Sequence, residues 1–307
     1  MVRPQSMMFT LFGDYIMHRG GEVWVGSLIK IAAEFGLSQQ AVRSALSRMS
    51  QKGWLKARRI GNRPYYGPTA RTRRLLEEGE RRIFVRRSGP WDGEWHLLVY
   101  SIPERKREIR AELRKQLAWL GYAPLSSGSW VCPHDVRADL DAVIQRLGIE
   151  GFVETFCATH VGHSTDRDLA ARCWDLEGIN RRYEAFLARY EPTFDTFKRR
   201  RDVPDNECFV QRFLLIHEYR KFFFIDPELP PELLPDVWRG SEAGELFHAF
   251  HGRLAEGANR YFDSVFEAPA QRRRRSVSVQ APDAVPTYVP ANRNDVEYRD
   301  ARPPREC

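Results

Sequence analysis

Between Ser38 and Lys52 the apolar residues are Ala41, Val42, Ala45, Leu46 and Met49, three and four positions apart, and nearly all the others are polar. That period predicts a helix with one buried stripe, capped by the Ser38 hydroxyl and closed at Gly53. Just upstream, GEVWVGSLIKIAAEFG holds a short β-like run (Val23, Trp24, Val25) and a second amphipathic helix through Leu28, Ile29, Ile31, Ala32 and Phe35. Only Gly36-Leu37 separate that helix from the Ser38 cap, which is the spacing of a helix-turn-helix. Downstream, WLKARRI and RPYY flank Gly61-Asn62, which reads as a two-residue hairpin. Helix, helix and hairpin in this order predict a winged helix, with the second helix in a major groove and the hairpin against the backbone.

Further along, TARTRRLLEEGERRIF reads as a helix over Thr69 to Val85 that leaves this module and breaks at Ser88-Gly89-Pro90. A second unit follows: WHLLVYSI as a strand, ERKREIRAELRKQLAWLG as a helix, and YAPLSSGSWVCP as a strand pair or one bent strand. ADLDAVIQRLG is another helix and FVETFCAT another strand. The alternation predicts a ferredoxin-like α/β sandwich. From about residue 168 the period is helical. CWDLEGINRRYEAFLARYEPTF, then ECFVQRFLLIHEYRKFFF running to Asp226-Pro227, then AGELFHAFHGRLAEGANRYF give three helices, with the proline-paced PELPPELLP between the last two. After residue 265 large apolar side chains become rare and Pro and Arg frequent, so the tail should be disordered. The expected class is α+β. Its parts are a winged helix-turn-helix over 8–87, a ferredoxin-like domain over 91–167, an all-α domain over 168–265 and a tail over 266–307.

Charge sharpens the first module. From Ser38 to Arg82 there are twelve bases against three acids, a net charge of +9, whereas all 307 residues carry +7. The rest of the chain is therefore slightly acidic, and the positive charge belongs to the piece whose shape suits a duplex. On the exposed helix face, Gln39, Gln40, Arg43, Ser44 and Ser47 can reach base edges, Arg43 pairing with guanine and Gln40 with adenine. Arg48, Lys52, Arg58, Arg59 and Arg63 suit phosphate oxygens, which set register without reading sequence. The basic run Arg272 to Arg275 in the tail can add nonspecific attraction. A single reading helix spans few base pairs, so useful specificity calls for a homodimer on paired half-sites.

Other function classes find little support. There is no apolar run of eighteen residues, which argues against a membrane span. The N-terminus has no signal-peptide pattern, so a cytoplasmic location is expected. Five scattered cysteines predict free thiols. His160 and His163, near Cys157 and Asp166, are of ligand type but loosely spaced, and Cys132 and His134 are distant in sequence, so no metal site is assigned. With no G-x-S-x-G elbow and no phosphate loop, neither catalytic residues nor a cofactor are assigned.

Several segments together resemble the PaaX family of transcriptional repressors, known for control of bacterial phenylacetic acid degradation. They are LFGDYIMHRGGEVWVGSLI, AVRSALSRMSQKGWL, the RRIG-R-YY hairpin, LAWLGYAPLSSGSWVCPH, RCWDL and HEYRKFFFIDPELPPELLP, in that order over roughly residues 8 to 262. The resemblance implies a winged-helix domain, a central domain like the small CRISPR adaptation subunit and a helical C-terminal domain. It further implies a homodimeric, non-enzymatic repressor that binds double-stranded operator DNA and is released by an aryl-CoA thioester such as phenylacetyl-CoA. For such an effector, His217, Tyr219, Arg220 and Lys221 in HEYRKFFF offer cations for phosphate beside aromatic walls for the acyl group. The CRISPR likeness also raises a metal-dependent nuclease as the alternative. That chemistry wants a carboxylate where the first strand of the central domain ends, and Ser101 stands there, with Glu104 beyond the proline. An effector-independent regulator of another pathway is the other alternative.

Overall fold

The computed structural model describes residues 2–84 and 90–269. The Ser88-Gly89 break and the tail from residue 270, with Arg272 to Arg275, lie outside them.

Helix α1, Pro4–Leu11, begins with proline at its first position, where the missing N–H costs nothing. A π turn over Phe12–Ile16 continues it. Strand β1, Val23–Trp24, leads into α2, Val25–Ala33, so Val25 starts a helix rather than extending the strand. Helix α3 is Gln39–Gln51; its Ser38 cap accepts a hydrogen bond from the Ala41 N–H at 3.2 Å. Strands β2, Leu55–Ile60, and β3, Arg63–Pro68, pair antiparallel with Ile60 opposite Arg63. Only Gly61-Asn62 remain for the turn, and Gly61 takes a φ of 58° there, a value side chains resist. Strand β1 pairs with β3, giving the order β1-β3-β2. Helix α4, Ala70–Phe84, follows.

Strand β4 is Trp95–Tyr100, α5 Arg107–Leu120, β5 Ala123–Pro124, β6 Ser129–Cys132, α6 Arg137–Leu147 and β7 Val153–Ala158. The ambiguous YAPLSSGSWVCP segment is thus a strand pair. All neighbours are antiparallel in the order β5-β6-β4-β7, with one helix between β4 and β5 and one between β6 and β7. The segment from Asp166 holds α7, Asp166–Cys173, and α8, Leu176–Arg199, two helices where the sequence suggested one. Helix α9, Asp205–Tyr219, stops earlier than the apolar run implied, and Phe222–Phe224 form a separate 3-10 turn. Three consecutive phenylalanines span most of a helical turn and cannot share one stripe; the break lets Phe222 and Phe223 both be buried. Helix α10, Gly240–Val265, closes the described chain.

The chain forms two compact units. Among the described residues, the first gathers 2–84, Phe186–Phe223 and 242–269; the second gathers 90–185 and Phe224–Ser241. In the first, aromatic side chains of α9 and α10 enter the core of the N-terminal elements: Tyr15 stacks on Phe262 at 4.7 Å, and Phe35 meets Phe213 at 4.5 Å. In the second, Leu98, Tyr100, Trp130 and Cys132 face Leu113, Leu117, Leu140 and Val143 of α5 and α6. The other face of that sheet packs Trp95 and Val131 against Leu169, Ala170 and Cys173 of α7 and against Leu229 and Leu233. Both faces are therefore covered.

Candidate nucleic-acid interface

Helix α3 buries Val42, Ala45, Leu46 and Met49 and leaves Gln39, Gln40, Arg43, Ser47 and Arg48 exposed, with Ser44 half-buried. Gln39 and Arg43 are one helical turn apart. With the Gln39 amide oriented to put its oxygen toward the guanidinium, that oxygen accepts from Arg43 Nε at 3.0 Å and Nη2 at 3.2 Å. The pair restrains the Arg43 guanidinium, limiting the rotamer freedom it would lose on contact.

The hairpin's cations differ in their surroundings. Side chains alternate along strands, and the register places Arg58, opposite Tyr65, and Arg63, opposite Ile60, on the face that carries Trp24. Each meets a carboxylate: Arg58 Nη2 donates to Glu22 Oε2 at 2.5 Å, and Arg63 Nη1 to Glu267 Oε2 at 2.6 Å. The Arg63 guanidinium also lies over the Trp24 ring, 4.6 Å from its centre. Arg59 projects to the opposite face. Arg48, Lys56 and Arg59 have no ion-pair partner among the described residues and are exposed. Lys52 is exposed at the C-cap of α3. The structure therefore brings the ten sequence-selected residues onto α3 and the hairpin that follows it, and divides the arginines into acid-paired and unneutralised sets. Glu22 and Glu267, the acids that make this division, were not foreseen; Glu267 is more than 200 residues from its partner, and no local pattern links them.

The four residues singled out for an effector lie at the end of α9, in the first unit. His217 is buried, its Nδ1 sits 2.8 Å from Thr10 Oγ1, and its ring stacks on Phe213. Burial, helped by the Arg220 and Lys221 charges, pushes its pKa down to about 2, so the ring is neutral at physiological pH. Tyr219 is buried and stacked on Phe247 at 4.0 Å. Arg220 Nη2 donates to the Ser6 carbonyl (3.2 Å) and hydroxyl (2.6 Å), and Lys221 Nζ donates to Glu218 at 2.7 Å. Thr10 and Ser6 are on α1, so His217 and Arg220 tie α9 to the start of the chain.

A second polar cluster in this unit escaped the sequence reading. Asp14, in the π turn, has a side chain 4% exposed, 3.5 Å from Arg212 Nη2 and 3.3 Å from His251 Nε2. Arg212 Nε donates to His251 Nε2 at 3.0 Å, so that nitrogen accepts and does not donate to Asp14 as well; the cluster's attraction for the carboxylate comes from the Arg212 guanidinium. Arg212 Nη1 and Arg19 Nη2 both donate to Asn259 Oδ1, and Arg19 Nε donates to Asp263. The signal was present in outline: an arginine amid the apolar FVQRFLLI run is a charge on a helix with no wet face.

In the second unit, Cys157 Sγ donates to Glu94 at 3.1 Å, and the carboxylate raises the thiol's pKa. His160 Nδ1 is 3.4 Å from Asp166, which also accepts from the Trp95 indole at 2.7 Å. Among the described residues no three His, Cys, Asp or Glu side chains converge where they could hold a metal ion. Nor is any helix among them long and apolar enough to cross a membrane.

Helix α3 thus leaves a polar face exposed beside a basic hairpin. Three family models match in chain order: "PaaX-like protein" over residues 3–72, "PaaX protein central Cas2-like domain" over 88–170 and "PaaX-like protein C-terminal domain" over 174–264. The chain belongs to the PaaX family. It is 33% identical over 279 residues to the transcriptional repressor PaaX of Escherichia coli (strain K12), covering 88% of this chain and 87% of that protein. Among solved structures, the uncharacterized protein Rv0674 from Mycobacterium tuberculosis shares the fold, with a TM-score of 0.55, 22% identity, and coverage of 86% of this chain and 98% of that one.

Proposed function

We propose that this protein is a DNA-binding transcriptional repressor of an aromatic-acid catabolic operon, acting in the cytoplasm as a homodimer and released from its operator by an aryl-CoA thioester of the phenylacetyl-CoA kind. In this reading residues 8–87 form a winged helix, 91–167 a ferredoxin-like domain and 168–265 a helical effector and dimer domain. One observation carries it: α3 and the hairpin beside it hold the chain's excess positive charge, with Arg48, Lys56 and Arg59 exposed and unneutralised among the described residues. Membership of a family that includes a transcriptional repressor supports the reading.

Gln39, Gln40, Arg43, Ser44 and Ser47 then face base edges, with Arg43 the specificity residue, while Arg48, Lys52 and Arg59 grip phosphates and Arg58 and Arg63 back them. The effector would meet His217, Tyr219, Arg220 and Lys221 only where the α9–α1 contacts rearrange, since those side chains now hold Thr10, Phe247, Ser6 and Glu218. Such a ligand would act by favouring one of two packings of α1. Fluorescence anisotropy on a duplex from the protein's own promoter tests both halves. Arg43→Ala should lose about 1–3 kcal/mol of specific binding and discriminate less against mutated sites. Phenylacetyl-CoA should release wild-type protein. Equal binding to promoter and random duplex, unaffected by the thioester, would refute the assignment.

A further inference from the structure

Past the end of α10, the backbone of Glu267 is fixed on both sides. Its N–H donates to Ser27 Oγ at 3.0 Å, and its carbonyl accepts from the Trp24 N–H at 3.0 Å. Ser27 is fully buried on α2, so this is a seat rather than a grazing contact. The Glu267 side chain is thereby delivered to the hairpin, where its carboxylate meets Arg63 at 2.6 Å over the Trp24 ring. Three contacts of different kinds converge on one residue, and it lies three positions beyond the last residue matched by the C-terminal family model.

Both partners of the ion pair remain about half exposed, at 55% for Arg63 and 40% for Glu267. An exposed pair of this sort is weak in water, on the order of 0–1 kcal/mol, so another anion can displace it. A duplex presents one negative charge per ~1.7 Å of helix axis. We propose that Glu267 is a displaceable acidic latch: it occupies Arg63 in the free protein, mimics the phosphate that Arg63 would otherwise contact, and so sets how strongly the hairpin holds DNA. Because the latch extends α10, movement of that helix is transmitted to the hairpin through Ser27 and Trp24. The inference rests on the DNA-binding reading and names Glu267 as a positioning residue within it.

The test is a salt titration of duplex binding by full-length protein, comparing wild type, Glu267→Gln, Arg63→Ala and the double variant. Glutamine keeps both backbone bonds and the side chain's shape while removing the charge, so its melting temperature should match wild type. With the latch open, Arg63 adds one phosphate contact. Glu267→Gln should bind roughly 3–5-fold tighter at low salt, and its log K against log salt should steepen by about 0.9. Arg63→Ala alone should change little, and in the double variant it should abolish the gain. If Glu267→Gln binds as wild type does while Arg63→Ala weakens binding and flattens the slope, Arg63 already contacts phosphate and the latch is wrong. Gain in Glu267→Gln that survives loss of Arg63 also overturns it. Failure of the wild type to bind any duplex is a separate outcome and removes the DNA reading itself.

Discussion

In the sheet β1-β3-β2, strand β2 buries Leu55 and exposes the other five residues, Lys56, Ala57, Arg58, Arg59 and Ile60. In β5-β6-β4-β7, the central strand β4 buries Trp95, His96, Leu98 and Tyr100, and helices or ordered chain cover both faces. The two strands are equally long, but β2 is an edge strand paired only with β3, whereas β4 lies between β6 and β7 and forms a core. Strand β7, the edge strand of the second sheet, likewise buries one side chain of six, so what sets β2 apart is charge: Lys56, Arg58 and Arg59 stand where β7 carries Glu154, Thr155, Phe156 and Cys157. Buried polarity differs too: the first unit encloses the Asp14, Arg212 and His251 cluster and the neutral His217, whereas the cores on the second sheet's faces are mainly apolar, with His96 and Gln116 as buried polar side chains.

The largest effect expected from this contrast is at Asp14. Asp14→Ala leaves Arg212 buried with no counter-charge, and removing one member of a buried pair costs roughly 3–5 kcal/mol. Denaturant unfolding should show this loss in the midpoint with little change in slope. In the second unit, Leu98→Ala deletes a fully buried side chain between β6 and β7 and should cost about 2–5 kcal/mol. If Ala57→Gly or Arg59→Ala in β2 proved as damaging as Leu98→Ala, the distinction between the two sheets would fail.

His217 gives a pH handle on the first unit. Its folded pKa lies far below the ordinary 6.5, at about 2, so the unfolded chain binds a proton that the folded chain refuses. Stability from this group is complete above pH 6.5 and falls as pH drops from 6.5 toward 2. Between pH 7 and 5 the loss is about 2 kcal/mol. His217→Gln, which keeps a partner for Thr10, should lower stability at neutral pH but flatten its decline into acid. Melting curves at several pH values read this; parallel declines in both proteins would show that other groups govern acid sensitivity.

What the sequence disclosed and what it hid follow one physical line. Helix α3, the hairpin and the alternation from β4 to β7 were legible because each is specified within a short window by a period, a cap or a turn residue. Ser38, Gly53 and Gly61 mark their ends, and the structure uses all three. Helix α1 was not foreseen: PQSMMFTL has no polar face to set a phase, because nearly every residue from Met7 to Tyr15 is buried. The stop of α9 at Tyr219 was hidden for a related reason, since an unbroken apolar run cannot show where a helix turns away from its core. Charges across long separations were out of reach altogether. Asp14 with Arg212, and Arg63 with Glu267, are partners only through the tertiary fold, and the second pair changes how the basic hairpin should be read.

The smallest effect is the one that tests the hairpin most closely. Arg59 stands on the opposite face from Arg58 and Arg63, exposed, with no acidic partner among the described residues. Its removal breaks no ion pair, so the melting temperature of Arg59→Ala should equal that of wild type. A phosphate contact carries no base preference, so affinity should fall modestly, several-fold at most, and by the same factor for promoter and random duplex. The salt slope should flatten by about one. The comparison with Arg43→Ala decides the division of labour. Loss at Arg43 should depend on the site's sequence and leave the slope nearly intact, whereas loss at Arg59 should do the reverse. Sequence-dependent loss at Arg59 would mean that the hairpin enters a groove and reads bases, and the phosphate role given to it would have to pass to α3.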